Sequence, residues 1–136
     1  MSEFLFVYGT LKRRSRHPMA RRLEERARFE AAGTVAGRLY NLGHFPGLKE
    51  PRTQGDRVWG DVYDLGDDAA TILRDMDAYE DAESPPPTPY ERKRTLVTLD
   101  NGGALSAWVY WYLGDVREDQ LIESGSFEWN CEQAPG

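Results

Sequence analysis

The side chains best suited to chemistry in this sequence are carboxylates near the end of a predicted helix. A carboxylate whose surroundings match its pKa to the working pH can take up and return a proton. Most acidic side chains at a helix end are simply hydrated. Glu80 differs, because it lies four residues after the apolar Met76 and near the negative end of the helix dipole, an unfavourable place for charge. The candidates are Asp75, Asp77, Glu80, Asp81 and Glu83.

The sequence offers few other routes to catalysis. It contains no Gly-x-Gly-x-x-Gly, no phosphate-binding loop and no paired Cys or His spacing for zinc. The histidines His17 and His44 lie close to prolines that favour turns, and nothing in their spacing supports a serine or cysteine relay. We interpret Cys131, in a polar tail, as a spectator. Acid–base chemistry therefore falls to the carboxylates.

A second candidate site follows the first apolar run. Residues 4–7 are aromatic, branched or otherwise apolar, which is typical of a buried strand, and Gly9 then interrupts the pattern. If the strand leaves them unpaired, the N–H groups of Gly9, Thr10 and Leu11 can form a nest for a negatively charged oxygen. An ordinary junction between a strand and a turn explains the same residues. From this segment alone, both interpretations stay open.

Composition narrows the class of protein. The chain has 136 residues, 40% hydrophobic and 29% charged, as expected of one globular domain over 1–136 with a polar tail from about residue 114. Its 17 basic and 23 acidic residues give a net charge of −6, which argues against nucleic acid as a partner. No apolar run reaches the ~20 residues that span a bilayer, so we expect no membrane partner. The single cysteine fits a reducing, cytoplasmic setting, whereas nothing in the sequence indicates the oligomeric state.

The order of predicted elements indicates an α+β fold. Runs of apolar or alternating apolar residues predict strands, and two segments whose apolar residues recur every three or four positions predict helices. Asn101-Gly102 marks a hairpin turn. Gly60, in the middle of one strand, predicts a bulge or a close approach of another segment. We expect a small, mixed, mostly antiparallel β-barrel with flanking helices. The predicted strands are 3–8, 31–40, 57–65, 90–99 and 105–113, the helices 18–29 and 68–79, and the loops 40–47 and 83–89.

Six short motifs follow one another along the chain. They are Phe6-Val7-Tyr8-Gly9-Thr10-Leu11-Lys12, Gly37-Arg38-Leu39-Tyr40, Phe45-Pro46-Gly47-Leu48, Val58-Trp59-Gly60-Asp61-Val62-Tyr63, Met76-Asp77-Ala78-Tyr79-Glu80 and Tyr90-Glu91-Arg92. Each motif is weak alone, but the ordered set is specific. It resembles the gamma-glutamylcyclotransferase-like family over about residues 4–112, most of the chain.

The resemblance implies an enzyme on a small β-barrel that releases 5-oxoproline from a small-molecule γ-glutamyl amine or peptide, without metal or cofactor. In the family, the Tyr-Gly-Thr-Leu loop binds the glutamyl portion of the substrate. The glutamate of the family's Leu-Asp-x-x-Glu-Gly motif is the acid–base residue. Carried over to this sequence, substrate binding falls to Tyr8, Gly9, Thr10 and Leu11, and catalysis to Glu80.

The family's Tyr-x-Arg-like element adds Tyr90 as a further substrate-binding candidate near the pocket. The sequence departs from the family pattern at two positions: Met76 stands where the motif has leucine, and Asp81 where it has glycine. The segment after Asp81 is also lengthened by prolines. Because these departures affect the turn beside Glu80, the alternative function is a non-catalytic small-molecule-binding or regulatory protein on the same fold.

Overall fold

The computed structural model describes residues 3–8, 23, 25–42, 46–83 and 90–125, with side chains described throughout except at 78–83. This part of the chain contains seven strands and one long helix, α1 (Ala69–Glu83), which follows a 3-10 turn at Gly66–Asp68. A second 3-10 turn covers Glu118–Gln120. The strands are β1 (Phe4–Val7), β2 (Arg28–Ala36), β3 (Arg38–Asn41), β4 (Pro46–Lys49), β5 (Arg57–Asp64), β6 (Tyr90–Leu99) and β7 (Ala104–Tyr112).

Five of the strands form a closed barrel in the order β1-β5-β2-β6-β7. Neighbouring strands pair antiparallel, except that β1 lies parallel to β7, with Leu5 opposite Trp108. This parallel contact closes the barrel. β3 and β4 form a separate two-stranded antiparallel sheet. The expected mixed, mostly antiparallel barrel is therefore confirmed.

Successive side chains of β1 point to opposite faces of the strand, so β1 contributes to two hydrophobic cores. Phe6 and Tyr8 lie in the core inside the barrel, whereas Leu5 and Val7 lie in a second core between the barrel wall and α1. The barrel core also contains Val35, Leu39, Leu48, Val58, Val62, Val97, Ala107, Val109 and Trp111. The second core also contains Leu23, Tyr63, Leu65, Ala69, Ile72, Leu73, Met76 and Tyr110.

The structure corrects two of the predicted elements. The predicted helix, whose pattern fades near Phe29, is wrong at its end, because β2 begins at Arg28 and Phe29 pairs with Tyr63. Their rings lie 6.0 Å apart, and this tertiary contact outweighs the local helical spacing. Residues 18–22 and 24 of the predicted helix lie outside the described part of the chain. The predicted loop 40–47 is also wrong in part, because Tyr40 and Asn41 pair with Gly47 and Pro46 in the β3–β4 sheet.

Two other boundaries differ from the predictions. Helix α1 continues to Glu83, one turn beyond the predicted end at residue 79. In the predicted polar tail, the Ile122 N–H donates a hydrogen bond to the Leu39 carbonyl, and the side chain of Ile122 packs against the barrel core. Among the helices of the described residues, none combines the length and apolar character needed to cross a membrane.

Gly60 lies in the middle of β5, next to Asp61, which pairs with Val7 at the end of β1. A Cβ atom at this position would lie 2.3 Å from the Val7 carbonyl oxygen and 2.7 Å from Cζ of Phe6. The predicted close approach is therefore confirmed. The register shift in the β2–β5 pair occurs elsewhere, between Phe29 and Ala31.

We expect Gly60→Ala to destabilise the fold by about 1–3 kcal/mol, because the Val7 backbone cannot make room without breaking its pairing with β5. The free energy of unfolding in urea measures the effect. Gly55→Ala is the matched control, since a Cβ there would meet nothing within 4 Å. Equal stability of the two variants would contradict the close packing at Gly60.

Candidate active site

Topology brings the ends of three strands together at one end of the barrel. β1 and β7 run parallel, so β1 ends at the same end of the barrel as β7. β6 runs antiparallel to β7, with Tyr90 opposite Tyr112, so β6 begins at that end. Helix α1 stops at Glu83, and the chain returns to β6 at Tyr90. The segments carrying Tyr8, Tyr90 and the end of α1 therefore share one end of the barrel.

Tyr8 is held by the protein rather than directed into solvent. It is 6% exposed, and its hydroxyl donates a hydrogen bond to the backbone carbonyl of Tyr110. Its ring lies 6.3 Å from that of Phe6, two residues earlier on the same face of β1. These contacts attach the end of β1 to β7 and so position the chain where it enters residues 9–11.

Tyr90 connects the start of β6 to β4. Its hydroxyl donates a hydrogen bond of 2.7 Å to the Pro46 carbonyl, and its ring lies 5.5 Å from the ring of Tyr112. A Cβ on Gly47 would lie 3.0 Å from the Cβ of Tyr112, so β4 lies directly against the end of β7. The Lys49 ammonium lies 5.4 Å from the centre of the Tyr112 ring. Two tyrosines, a lysine and the β4 backbone thus form a wall beside this end of the barrel.

Helix α1 contacts β6 and β7 through Asp77. Its carboxylate accepts hydrogen bonds from Nε and Nη2 of Arg92, at 2.9 and 3.1 Å, and from the Tyr110 hydroxyl at 2.5 Å. Three residues further on, the backbone of residue 80 is displaced by about 4.5 Å along the helix axis. α1 begins just after Leu65, beside the start of β1, and reaches Tyr110 at Asp77, so it runs toward the end of the barrel where β1 ends.

The guanidinium of Arg92 contacts both the Asp77 carboxylate and the Trp108 ring. Its hydrogen bonds to Asp77 raise the pKa of the guanidinium above its ordinary value, against the opposing effect of partial burial. The guanidinium carbon lies 4.5 Å from the centre of the Trp108 ring, and that of Arg94 lies 4.8 Å from the same ring. Arg94 in turn donates to both carboxylate oxygens of Glu3, at 2.7 and 2.8 Å.

Asp77 and Arg92 belong to two of the six motifs, but the sequence does not show that Asp77 bonds to Arg92 and Tyr110. Asp77 is one of five acidic residues near the helix end, most of which the sequence predicts to be hydrated. Its contact with Arg92 joins residues 15 apart across the turn between α1 and β6, a separation that no local pattern specifies. One available signal is that Asp77 directly follows Met76, the last residue of the apolar stripe whose burial is described.

Several predicted residues lie outside the described part of the structure. Among the proposed binding residues, these are Gly9, Thr10 and Leu11. His17, His44 and Cys131 also lie outside it, as does the proline-rich segment after Glu83. For Glu80, the backbone is described as helical but the side chain is not. Among the described residues, no three His, Cys, Asp or Glu side chains are grouped so that they could hold a metal ion.

A separate cleft of about 370 Å³ lies between β3, β5 and residues 121–124. Arg38 lies 4.0 Å from Asp56 and 3.6 Å from Glu118, so its charge is balanced within the protein. Hydrogen bonds from the backbone N–H groups of Arg52 and Thr53 lower the pKa of Asp56. In this cleft the Arg38 guanidinium thus faces the carboxylates of Asp56 and Glu118.

Sequence comparison agrees with the topology. Residues 5–130 match the family model described as gamma-glutamyl cyclotransferase, AIG2-like. The chain belongs to this gamma-glutamyl cyclotransferase-like family. The match extends from β1 through the barrel and α1 into the C-terminal segment. Comparison with curated protein sequences finds no significant match.

Solved structures of similar proteins share the fold. An AIG2-like protein from Mus musculus is 25% identical, with a TM-score of 0.70 over 93% of this chain and 88% of its own. YkqA from Bacillus subtilis is 20% identical, with a TM-score of 0.67 over 93% of this chain. This chain spans 40% of the length of YkqA. A gamma-glutamyl cyclotransferase is 19% identical, with a TM-score of 0.54 over 82% of this chain and 66% of its own.

Two of the six motifs, those that contain Tyr8 and Glu80, lie at β1 and on α1, far apart in sequence. Tyr110 contacts both, because its backbone carbonyl accepts from Tyr8 and its hydroxyl donates to Asp77. β7 therefore joins the predicted binding segment to the helix that carries Glu80.

We expect Tyr90→Phe to lower the free energy of unfolding by about 1 kcal/mol, because the Pro46 carbonyl loses its donor. Tyr112→Phe is the matched control, since the described contacts of Tyr112 are made by its ring, and we expect a change within about 0.5 kcal/mol. Chemical denaturation of both variants measures the difference. A larger loss for Tyr112→Phe would contradict the role given to the Tyr90 hydroxyl.

Proposed function

We propose that this protein is a cyclotransferase that releases 5-oxoproline from a γ-glutamyl amine or peptide. Membership of the gamma-glutamyl cyclotransferase-like family supports an enzymatic role of this type. The observation that carries the proposal is the convergence of the β1 end, the β6 start and the end of α1 at one end of the barrel. A substrate bound by residues 8–11 would thereby lie within reach of a carboxylate from α1.

The proposed reaction is an intramolecular acyl transfer. The α-amine of the γ-glutamyl group attacks its own γ-carbonyl carbon, a C–N bond forms in a five-membered ring, and the original amide C–N bond breaks. The α-amine arrives protonated, so a base must first remove a proton. Glu80 would take this proton and deliver it to the departing nitrogen, which leaves the carboxylate unchanged after each turnover. The ring nitrogen would lose a second proton as the C–N bond forms, and the released amine would take it up and leave as an ammonium ion.

Holding the substrate in a folded conformation would supply much of the rate. The nucleophile and the electrophile belong to one molecule, so the protein needs chiefly to keep them in contact and properly aligned. Backbone N–H groups of Gly9, Thr10 and Leu11 would bind the α-carboxylate or stabilise the oxyanion that develops on the γ-carbonyl. In this proposal Tyr8 positions that loop, since its hydroxyl is bonded to the Tyr110 carbonyl.

We expect Glu80→Gln to fold like the wild type and to produce no measurable 5-oxoproline, because an amide cannot accept the proton of the α-amine. Chromatographic detection of 5-oxoproline from a panel of γ-glutamyl amines and dipeptides measures turnover, and circular dichroism checks the fold. The panel also identifies the leaving group.

Glu91→Gln is the matched control, since residue 91 points to the opposite face of β6 from its neighbours Tyr90 and Arg92. It removes one carboxylate from the same end of the barrel and should retain full activity. Turnover by Glu80→Gln equal to that of Glu91→Gln would refute the role of Glu80. A wild type that binds γ-glutamyl compounds without turning them over would favour the non-catalytic alternative.

A further inference from the structure

We propose that Asp77, Tyr110 and Arg92 form a positioning cluster that sets the spacing between the two halves of the active site. The inference rests on the proposed cyclotransferase function. In this arrangement Tyr110 holds the binding half through its backbone and the helix that carries Glu80 through its side chain. None of the three residues needs to touch the substrate.

The apolar face of α1 is described as far as Met76. Ile72, Leu73 and Met76 are buried against the barrel wall, and Met76 is 2% exposed. Asp77 is the next residue, and its side chain is 42% exposed, so its contacts with the barrel are polar. A helix end fixed by apolar contacts alone frays readily, because its last carbonyl groups lack intrahelical partners. The cluster lies about one turn before Glu80 and adds a polar attachment of α1 to β6 and β7.

The hydrogen bonds of the cluster define a specific geometry. Nε and Nη2 of Arg92 donate to the two carboxylate oxygens of Asp77, and the Tyr110 hydroxyl donates to Oδ1 of Asp77 at 2.5 Å. Charge-assisted and bidentate bonds of this type restrict direction as well as distance. Asp77 cannot rotate or shift along the strands without losing at least one of these bonds. The axial and rotational position of α1 relative to β7 is thus determined.

The partners of Asp77 are themselves held in place. Arg92 lies over the Trp108 ring at 4.5 Å, and Trp108 is opposite Leu5 in the parallel β1–β7 contact. Tyr110 is 6% exposed, and its carbonyl accepts the hydrogen bond of Tyr8. One residue thus contacts both β1 and α1. A displacement of Asp77 would change the distance between Tyr8 and the backbone of residue 80.

The test compares Asp77→Asn and Tyr110→Phe with the wild type in steady-state release of 5-oxoproline. A misplacement of about 1 Å can cost roughly 100-fold in rate, so we expect kcat to fall about 10- to 100-fold in both variants. KM should stay within about threefold, because residues 8–11 still bind the glutamyl group. Tyr110→Phe keeps the ring and the backbone carbonyl, so it tests the cluster even if Asp77→Asn folds poorly.

Asp75→Asn is the matched control on the same helix. Asp75 pairs with Arg26 and does not belong to the cluster, and its side chain is 39% exposed, close to the exposure of Asp77. The kcat of Asp75→Asn should stay within about twofold of the wild type, even if this variant loses as much thermal stability as Asp77→Asn. A general loosening of α1 would lower kcat equally in all three variants and would overturn the inference.

Two further outcomes separate this inference from the proposed function. A wild type that releases 5-oxoproline, together with Asp77→Asn and Tyr110→Phe variants whose kcat is within twofold of it, overturns the positioning cluster alone. A folded wild type that releases no 5-oxoproline from any γ-glutamyl compound overturns the proposed function and this inference with it.

Discussion

The parallel contact between β1 and β7 is the constraint on which the rest of the structure depends. β1 enters between β5 and β7, and the pairing of Leu5 with Trp108 closes the barrel. Because both faces of this short strand are covered, its alternate side chains fill the barrel core and the core beneath α1. The hydrogen at Gly60 permits the close approach of β5. Closure also brings the ends of β1 and β7 together at one end of the barrel. In an open sheet these two strands would lie at opposite edges.

β7 supports every segment that surrounds the candidate site. Val109 and Trp111 point into the barrel, whereas Tyr110 and Tyr112 face outward, as the alternation of a strand requires. Tyr110 contacts β1 and α1, and Tyr112 packs against β4. The site is thus assembled on a strand that itself carries none of the residues proposed to bind or to catalyse. Catalytic precision in such a design depends on supporting contacts as much as on the reacting groups.

The spacing of apolar residues along the sequence predicted the strands and the helix in which buried and exposed side chains alternate regularly. The strands at β5, β6 and β7 and the core of α1 show clear periodicity, because each presents a constant face to the interior. Gly60 was also informative, since glycine within a strand usually marks a close approach. Prediction failed where the structure depends on distant partners. Phe29 belongs to a strand because Tyr63 lies beside it, and Pro46 begins a strand because it lies opposite Asn41.

The sequence by itself determined the family, the barrel class and the identity of the candidate acid–base residue, because these depend on ordered motifs and on alternation along single segments. Tertiary structure alone decided that Asp77 accepts bonds from Arg92 and Tyr110, and that Tyr110 also accepts from Tyr8. Those contacts join residues up to 102 positions apart. Their geometry arises from strand register and barrel closure, which no pattern within one segment encodes.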